Sequence, residues 1–474
     1  MKINLDKTIN YLFLLGLFFF GFNQVEVMPF MGEYVREFGS IFFFIGFFFM
    51  GIEVLKTGRI NLPYKNNLYI LILVFYIITI CCSIVNIPSI IENYFKRTTG
   101  ISRFIRQMIS LTIPIFIFLP FFFRAIQNWD NRRIFFTIRK VFTLSLVFVT
   151  FYCFWELLFS YFGFYPAKYI LEIYGLFPFM DPILYTTGRI SGITYEPPFF
   201  AIYLITISGF IFSYILTEKN IIYKFTPSIV LLMWTFFSGS RTGLLVIFFI
   251  FFLFMVFLYK QNFYRKQIHY TLIFSVLALS LIILSNPEKL KDSVLEKIES
   301  LDFAGNLKTS VSNKTRFGMQ YASLQVFKEN AIFGVGFGQQ AYHSQHHYPR
   351  WATVNNWEFD QFYKNKKELS FPPGYNIFTR LLAELGIIGF TIWVTILLYS
   401  IRLAYKIYKN SDDEITRVLL VSISISLIGL YINWLQTDTF RMYGVWIFFA
   451  ILMKLDYQQK NKYNEQQLIN NSSL

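Results

Sequence analysis

Cysteine is almost missing from this chain of 474 residues: there are three. Cys81, Cys82 and Cys153 all fall inside apolar runs, which excludes a disulfide framework and a cysteine-based zinc site. Histidine is nearly as scarce, with four residues, three of which (His343, His346, His347) crowd into one polar interval. His346 and His347 are adjacent, a spacing that suits shared metal ligation poorly, so neither a metal nor another cofactor is expected. Acidic side chains number 28 against 43 basic ones, a formal charge of +15. The cations lie in short segments between apolar runs rather than on one basic face. The positive-inside rule produces that distribution, and nucleic acid is not an expected partner. Alanine does not occur in the first hundred residues. Lys2 and Lys7 precede an apolar run, but no small-x-small cleavage site follows, so the segment reads as an uncleaved first span. Internal repeats are lacking too.

Apolar residues dominate: the chain is 55% hydrophobic and 21% aromatic. Runs such as Leu12–Phe22, Ile41–Met50 and Leu244–Leu258 are too long and undiluted for a soluble core. They read as bilayer spans, which need about 20 mostly apolar residues. The expected fold is an all-α polytopic membrane protein with about twelve spans, at 10–26, 39–55, 67–87, 107–126, 141–163, 197–217, 222–238, 242–259, 268–285, 376–405, 415–435 and 438–456. Placing both termini in the cytoplasm puts Lys56, Arg59, Arg124, Arg132, Arg133, Arg139, Lys260, Lys406 and Lys409 in inner segments, as the charge rule requires. The chain then divides into spans one to nine (1–285), an extracytoplasmic loop or lid (286–373), spans ten to twelve (374–456) and a cytoplasmic polar tail (457–474).

The long loop is where chemistry would sit. Two helices are expected in it. One has its apolar face at Leu290, Val294, Leu295, Ile298 and Leu301; the other has Phe317, Tyr321, Leu324 and Phe327, entered through Ser312-Asn313-Lys314-Thr315 as capping residues. A glycine run, Gly334-Val335-Gly336-Phe337-Gly338, follows. It lacks the Gly-Lys-Ser/Thr of a phosphate loop and reads as a plain turn.

Three arginines fall on the loop's side of the membrane. Arg189 opens Arg189-Ile190-Ser191-Gly192-Ile193-Thr194-Tyr195-Glu196-Pro197-Pro198, Arg241 sits in the tight Ser238-Gly239-Ser240-Arg241-Thr242-Gly243 turn, and Arg316 begins the second loop helix. An arginine at membrane depth costs about 2.5–3.5 kcal/mol, so it faces protein or a water-filled cavity. Guanidinium binds phosphate oxygens bidentately, and three on one face suggest a diphosphate site. The plainer alternative is that each one snorkels to lipid phosphates. Asn376, Arg380 and Glu384 form one helical stripe that could line a sugar or phosphate cleft, the alternative being an Arg380–Glu384 intrahelical pair. Glu196, at a helix start, is either a dipole-favoured carboxylate or a base. Tyr195, Asn313 and Tyr375 complete the candidate substrate-binding set.

In order and spacing these pieces resemble the O-antigen ligase/polymerase superfamily of bacterial envelope glycosyltransferases. The matching parts are Arg189 with Gly192 and Pro197; Ser240-Arg241-Thr242-Gly243; Arg316 followed by Gly334, Gly336 and Gly338; and Asn376 followed by Leu382-Ala383-Glu384-Leu385-Gly386-Ile387-Ile388-Gly389. The resemblance implies a fold of the glycosyltransferase C type, a glycan donor on undecaprenyl diphosphate, and transfer without nucleotide sugar or catalytic metal. It places Arg189, Arg241 and Arg316 on the diphosphate. Ligases carry His directly before the Asn of the last motif, whereas here the pair is Tyr375-Asn376. That departure favours a repeat-unit polymerase of O-antigen or capsule over a ligase acting on lipid A-core. A transporter or flippase of lipid-linked oligosaccharide is the reading from another class. The base stays open among His343, Glu196, Glu384 and Tyr375, in that order. Further expected partners are the bilayer, a chain-length regulator and a flippase, with the protein in the cytoplasmic membrane.

Overall fold

The computed structural model describes residues 4–25, 34, 36–59, 62–176, 188–260, 310–365, 367 and 371–472, with a few single positions between 265 and 277. Its long helices are α1 Leu5–Phe19, α2 Phe38–Thr57, α3 Asn67–Val85, α4 Gly100–Ile126, α5 Asn131–Ser160 and α6 Pro197–Thr217. They continue with α7 Ile221–Phe237, α8 Arg241–Lys260, α9 Val311–Glu329, α10 Ile377–Lys409, α11 Glu414–Asn433 and α12 Tyr443–Ser472. Among the described residues the only strands are Tyr94–Phe95 and Thr98–Thr99, a minimal antiparallel hairpin. Among the described residues eight helices are long and apolar enough to cross a bilayer, namely α2 to α6, α8, α10 and α11. The chain is an all-α, multi-pass membrane protein. Every expected span but the ninth overlaps one of these helices. The ninth (268–285) and the first expected loop helix (Leu290–Leu301) lie essentially outside the described residues.

Local chemistry explains the helix limits. Asn66, Asp130, Asn220, Asn376 and Asp413 each accept hydrogen bonds from amides of the first helical turn, supplying partners that the helix itself cannot. α4 passes through a wide π-type turn over Ile113–Phe118, where Pro114 has no amide hydrogen to give. Away from the candidate site, Arg124 of α4 ties Asp6 of α1 to Glu53 of α2, and Arg139 of α5 pairs with Glu218 at 3.0 Å. Part of the basic charge expected in inner segments is thus neutralised between helices. The interior is apolar and aromatic, with Phe43 in ring contact with Phe118, Phe121 and Phe122.

Two features position the loop. α10, longer than a bilayer requires, is interrupted at Gly386, whose φ of 62° and ψ of −163° no helix contains. The carbonyls released there are taken up by the glycine run: Val335 N donates to Ala383 O (3.0 Å) and Gly336 N to Glu384 O (2.9 Å). In return, Ile387 N donates to Ala331 O at 2.8 Å. Leaving a buried carbonyl unpaired costs about 1–3 kcal/mol. A Cβ at Gly386 would collide with Ile332 O, and one at Gly334 with the Glu384 backbone. The run is a turn, as its sequence suggests, and its glycines let two backbones meet.

The second feature corrects the expected loop helix. α9 begins at Val311 after Ser310, which makes no side-chain cap, so Ser312–Thr315 lie inside the helix. Thr315 and Asn356 hydrogen-bond each other instead, which gives these polar groups partners within the loop. The buried face is Asn313, Thr315, Gly318, Met319, Ala322, Ser323 and Val326. Tyr321 and Leu324, expected inside, are exposed, and Phe317 and Phe327 are half-buried. Periodicity identified the helix, but the small residues allow the closer approach to α10 and therefore occupy the inner face.

Candidate active site

The Arg189 segment is shaped by a carboxylate that sequence reasoning missed. Glu156, buried near the end of α5, accepts hydrogen bonds from Ser191 N and Gly192 N, each at 2.8 Å. Ser160 Oγ donates to Arg189 O at 3.0 Å, and Ile190 N donates to Phe237 O at 3.2 Å. The segment is thereby fixed to the ends of α5 and α7. Arg189 itself is exposed, and its Nη2 donates to Gly239 O at 3.2 Å. Gly239 turns with φ of +63°, and a Cβ there would press on the Arg189 side chain. In the same turn Ser240 Oγ accepts from Gly243 N at 3.2 Å, so Arg241 heads α8 beside Arg189.

Arg316 reaches the same place from α9. Its Nη1 donates to Gln436 Oε1 at 3.0 Å, and Thr242 Oγ1 donates to that same oxygen. Gln436 therefore bridges the loop helix and the Ser-Arg-Thr-Gly turn. The Arg316 guanidinium also lies 5.3 Å from the ring centroid of Tyr375. Arg241 is repelled by both Arg316 and Arg189, and Glu196 is attracted by the same two groups. The three arginines and Glu196 are brought together.

Glu196 makes no side-chain cap on α6, so its carboxyl group is not engaged by the helix it precedes. Glu196 is exposed on one side, and the protein packed around the rest of it raises its pKa from the ordinary glutamate value, against the opposing pull of Arg316 and Arg189. Tyr375 holds φ of +56°, a region costly for a side chain of its size. Burial drives its hydroxyl pKa upward, helped by Glu358, so the ring stays neutral. Tyr195 is exposed beside Arg36, and its amide donates to Asn23 Oδ1 at 2.8 Å. A cleft beyond it is lined by Asn23, Glu37, Phe199, Tyr203 and Arg441, with Arg441 Nη1 3.6 Å from Glu37 Oε1.

The remaining expected residues sit apart or are engaged. Asn376 caps α10 through Phe378 N and Thr379 N, and its Nδ2 donates to Gln320 Oε1 at 3.3 Å. Arg380 and Glu384 form the intrahelical pair, with Nε 3.1 Å from both carboxylate oxygens and both residues buried. Arg380 donates further to Asp438 O (2.6 Å) and Gln107 Oε1 (2.7 Å). Asn313 is buried in the inner face of α9. His343 lies with His346, His347 and Glu329, and burial together with the neighbouring imidazoles lowers its pKa. Along α9, Glu329 is roughly 20 Å from Arg316, so the histidine group stands at the far end of that helix from the arginines. Among the described residues no cluster suits a metal ion.

A family model described as O-antigen ligase matches residues 226–394. The chain carries an O-antigen ligase-like domain. The match supports the O-antigen ligase/polymerase superfamily and an activity of that general type. The domain takes in Arg241, Arg316 and the whole of the Asn376–Gly389 motif, while Arg189 and Glu196 lie ahead of it. Comparison with curated proteins gives no match. Sequence reasoning missed Glu156 and Gln436. The first carries the only signal it could have used, a lone acidic residue inside an apolar helix.

Proposed function

We propose that the protein is a polymerase that joins undecaprenyl-diphosphate-linked oligosaccharide repeats into O-antigen or capsular polysaccharide, on the outer side of the cytoplasmic membrane. The observation that carries this reading is the meeting of Arg189, Arg241, Arg316 and Glu196 at the ends of α6, α8 and α9. The arginines hold the donor's diphosphate and stabilise the charge that develops as it leaves, which is the large term in such a transfer. An acceptor-sugar hydroxyl attacks the anomeric carbon; the new glycosidic C–O bond forms as the C–O bond to diphosphate breaks. Glu196 receives the hydroxyl proton. Of the four bases considered from sequence, Glu196 is the carboxylate placed with the arginines, whereas Glu384 is held by Arg380 and His343 stands at the other end of α9.

Tyr375, standing where ligases carry His, favours polymerase over ligase. Deleting the gene separates the two. Loss of a polymerase leaves single repeat units on the final acceptor; an acceptor without any glycan would sink this reading in favour of a ligase, and unaltered long chains would sink both. The base makes a second prediction. Glu196 must be ionised to act, and its raised pKa means that kcat/KM falls, as pH drops, at values above the ordinary glutamate pKa of about 4.3. Glu196→Gln should lose most turnover and that acid limb together. A variant that keeps the limb removes Glu196 from the mechanism.

A further inference from the structure

α9 is built inside out for a helix of a soluble loop. Its small residues Gly318, Ala322 and Ser323 face inward, while Tyr321 (45% exposed) and Leu324 (37%) face outward, flanked by half-buried Phe317 and Phe327. The turn after it continues the pattern with Ile332 (59%) and Phe333 (43%). Contiguous exposed apolar surface of this kind marks an interaction site.

The backbone fixes the depth at which this surface sits. Ala331 O accepts from Ile387 N at 2.8 Å, so the turn is level with the start of the unbroken part of α10. From Ile387 to Lys409 that helix runs for roughly 34 Å, against about 30 Å of hydrocarbon. Arg402, Lys406 and Lys409 occupy its far end, so Ile387 lies at the edge of the hydrocarbon on the site's side. Ile387 is itself exposed, as are Ile84, Val85 and Ile87 at the corresponding end of α3. Phe337 N donates to Ser83 Oγ at 3.2 Å, which joins the loop to that end. The turn that ends α9 is thus level with the lipid-facing ends of two spans. Lys328, exposed in its last turn, can reach lipid phosphates from there.

We infer that the outward face of α9 and the Ala331–Phe333 turn are seated among phospholipid acyl chains of the leaflet on the site's side. The helix carrying Arg316 is then an interfacial helix. The inference does not depend on the reaction catalysed. It is tested on the full-length protein in lipid nanodiscs, with p-benzoylphenylalanine replacing Phe333 or, separately, Tyr321, and adducts read by mass spectrometry. Leu398, exposed on α10 within the span, serves as the lipid-facing reference, and exposed Arg350 as the aqueous one. Acyl-chain adducts at 333 and 321 should match those at 398 and exceed those at 350 by about tenfold. Crosslinks to a second copy of the chain, or lipid adducts no higher than at 350 in variants that elute as folded protein, would overturn it.

Discussion

Arg241→Ala, made at the wild-type level, will abolish glycan polymerisation. Removing one group that stabilises developing negative charge typically costs about 10²–10³ in turnover, and Arg241 shares its site with two further guanidiniums. The variant should fold, because Ser240 Oγ still accepts from Gly243 N and keeps the turn closed. Arg241→Lys should recover little, since an ammonium cannot make the two parallel hydrogen bonds of a guanidinium. The measurement is chain-length distribution of the cell's polysaccharide beside a quantified membrane fraction. Wild-type chains from Arg241→Ala would end the diphosphate reading.

The largest loss of stability is expected from Arg380→Met. The change leaves Glu384 buried without its ion pair and removes the donors to Asp438 O and Gln107. Breaking a buried pair from one side costs about 3–5 kcal/mol. The double variant Arg380→Met, Glu384→Leu removes both charges and should regain most of that, because desolvating the pair was itself unfavourable. Thermal unfolding in detergent gives the comparison. It also separates two roles: a double variant that is stable and active makes the pair a scaffold, whereas one that is stable and inactive returns it to substrate binding.

The sequence carried the spans and the arginines because each stands against its background. Twenty apolar residues need a bilayer, and a permanent charge beside them needs a reason. Gln436 had no such contrast: it is an ordinary polar residue between two spans, and its partner Arg316 is 120 positions away. Glu156 bonds backbone amides 35 and 36 positions on, which no side-chain pattern records. α9 shows a different limit. A stripe of large apolar residues establishes the helix and its faces, but in a membrane protein the stripe can turn toward lipid as readily as toward the core. The break in α10 was hidden for a similar reason, since Gly386 is open only because a distant turn supplies the missing partners.

The ties around the site are of two strengths. Backbone hydrogen bonds weld the glycine run to α10 around Gly386, whereas the Arg189 segment is held by the Glu156 carboxylate and by one backbone bond to α7. Side chains tie Arg316 to the Arg241 turn through Gln436, which stands in the α11–α12 connection that Ile377 N also joins by backbone bonds. A change at Gln436 therefore reaches Arg316 and the Arg241 turn together.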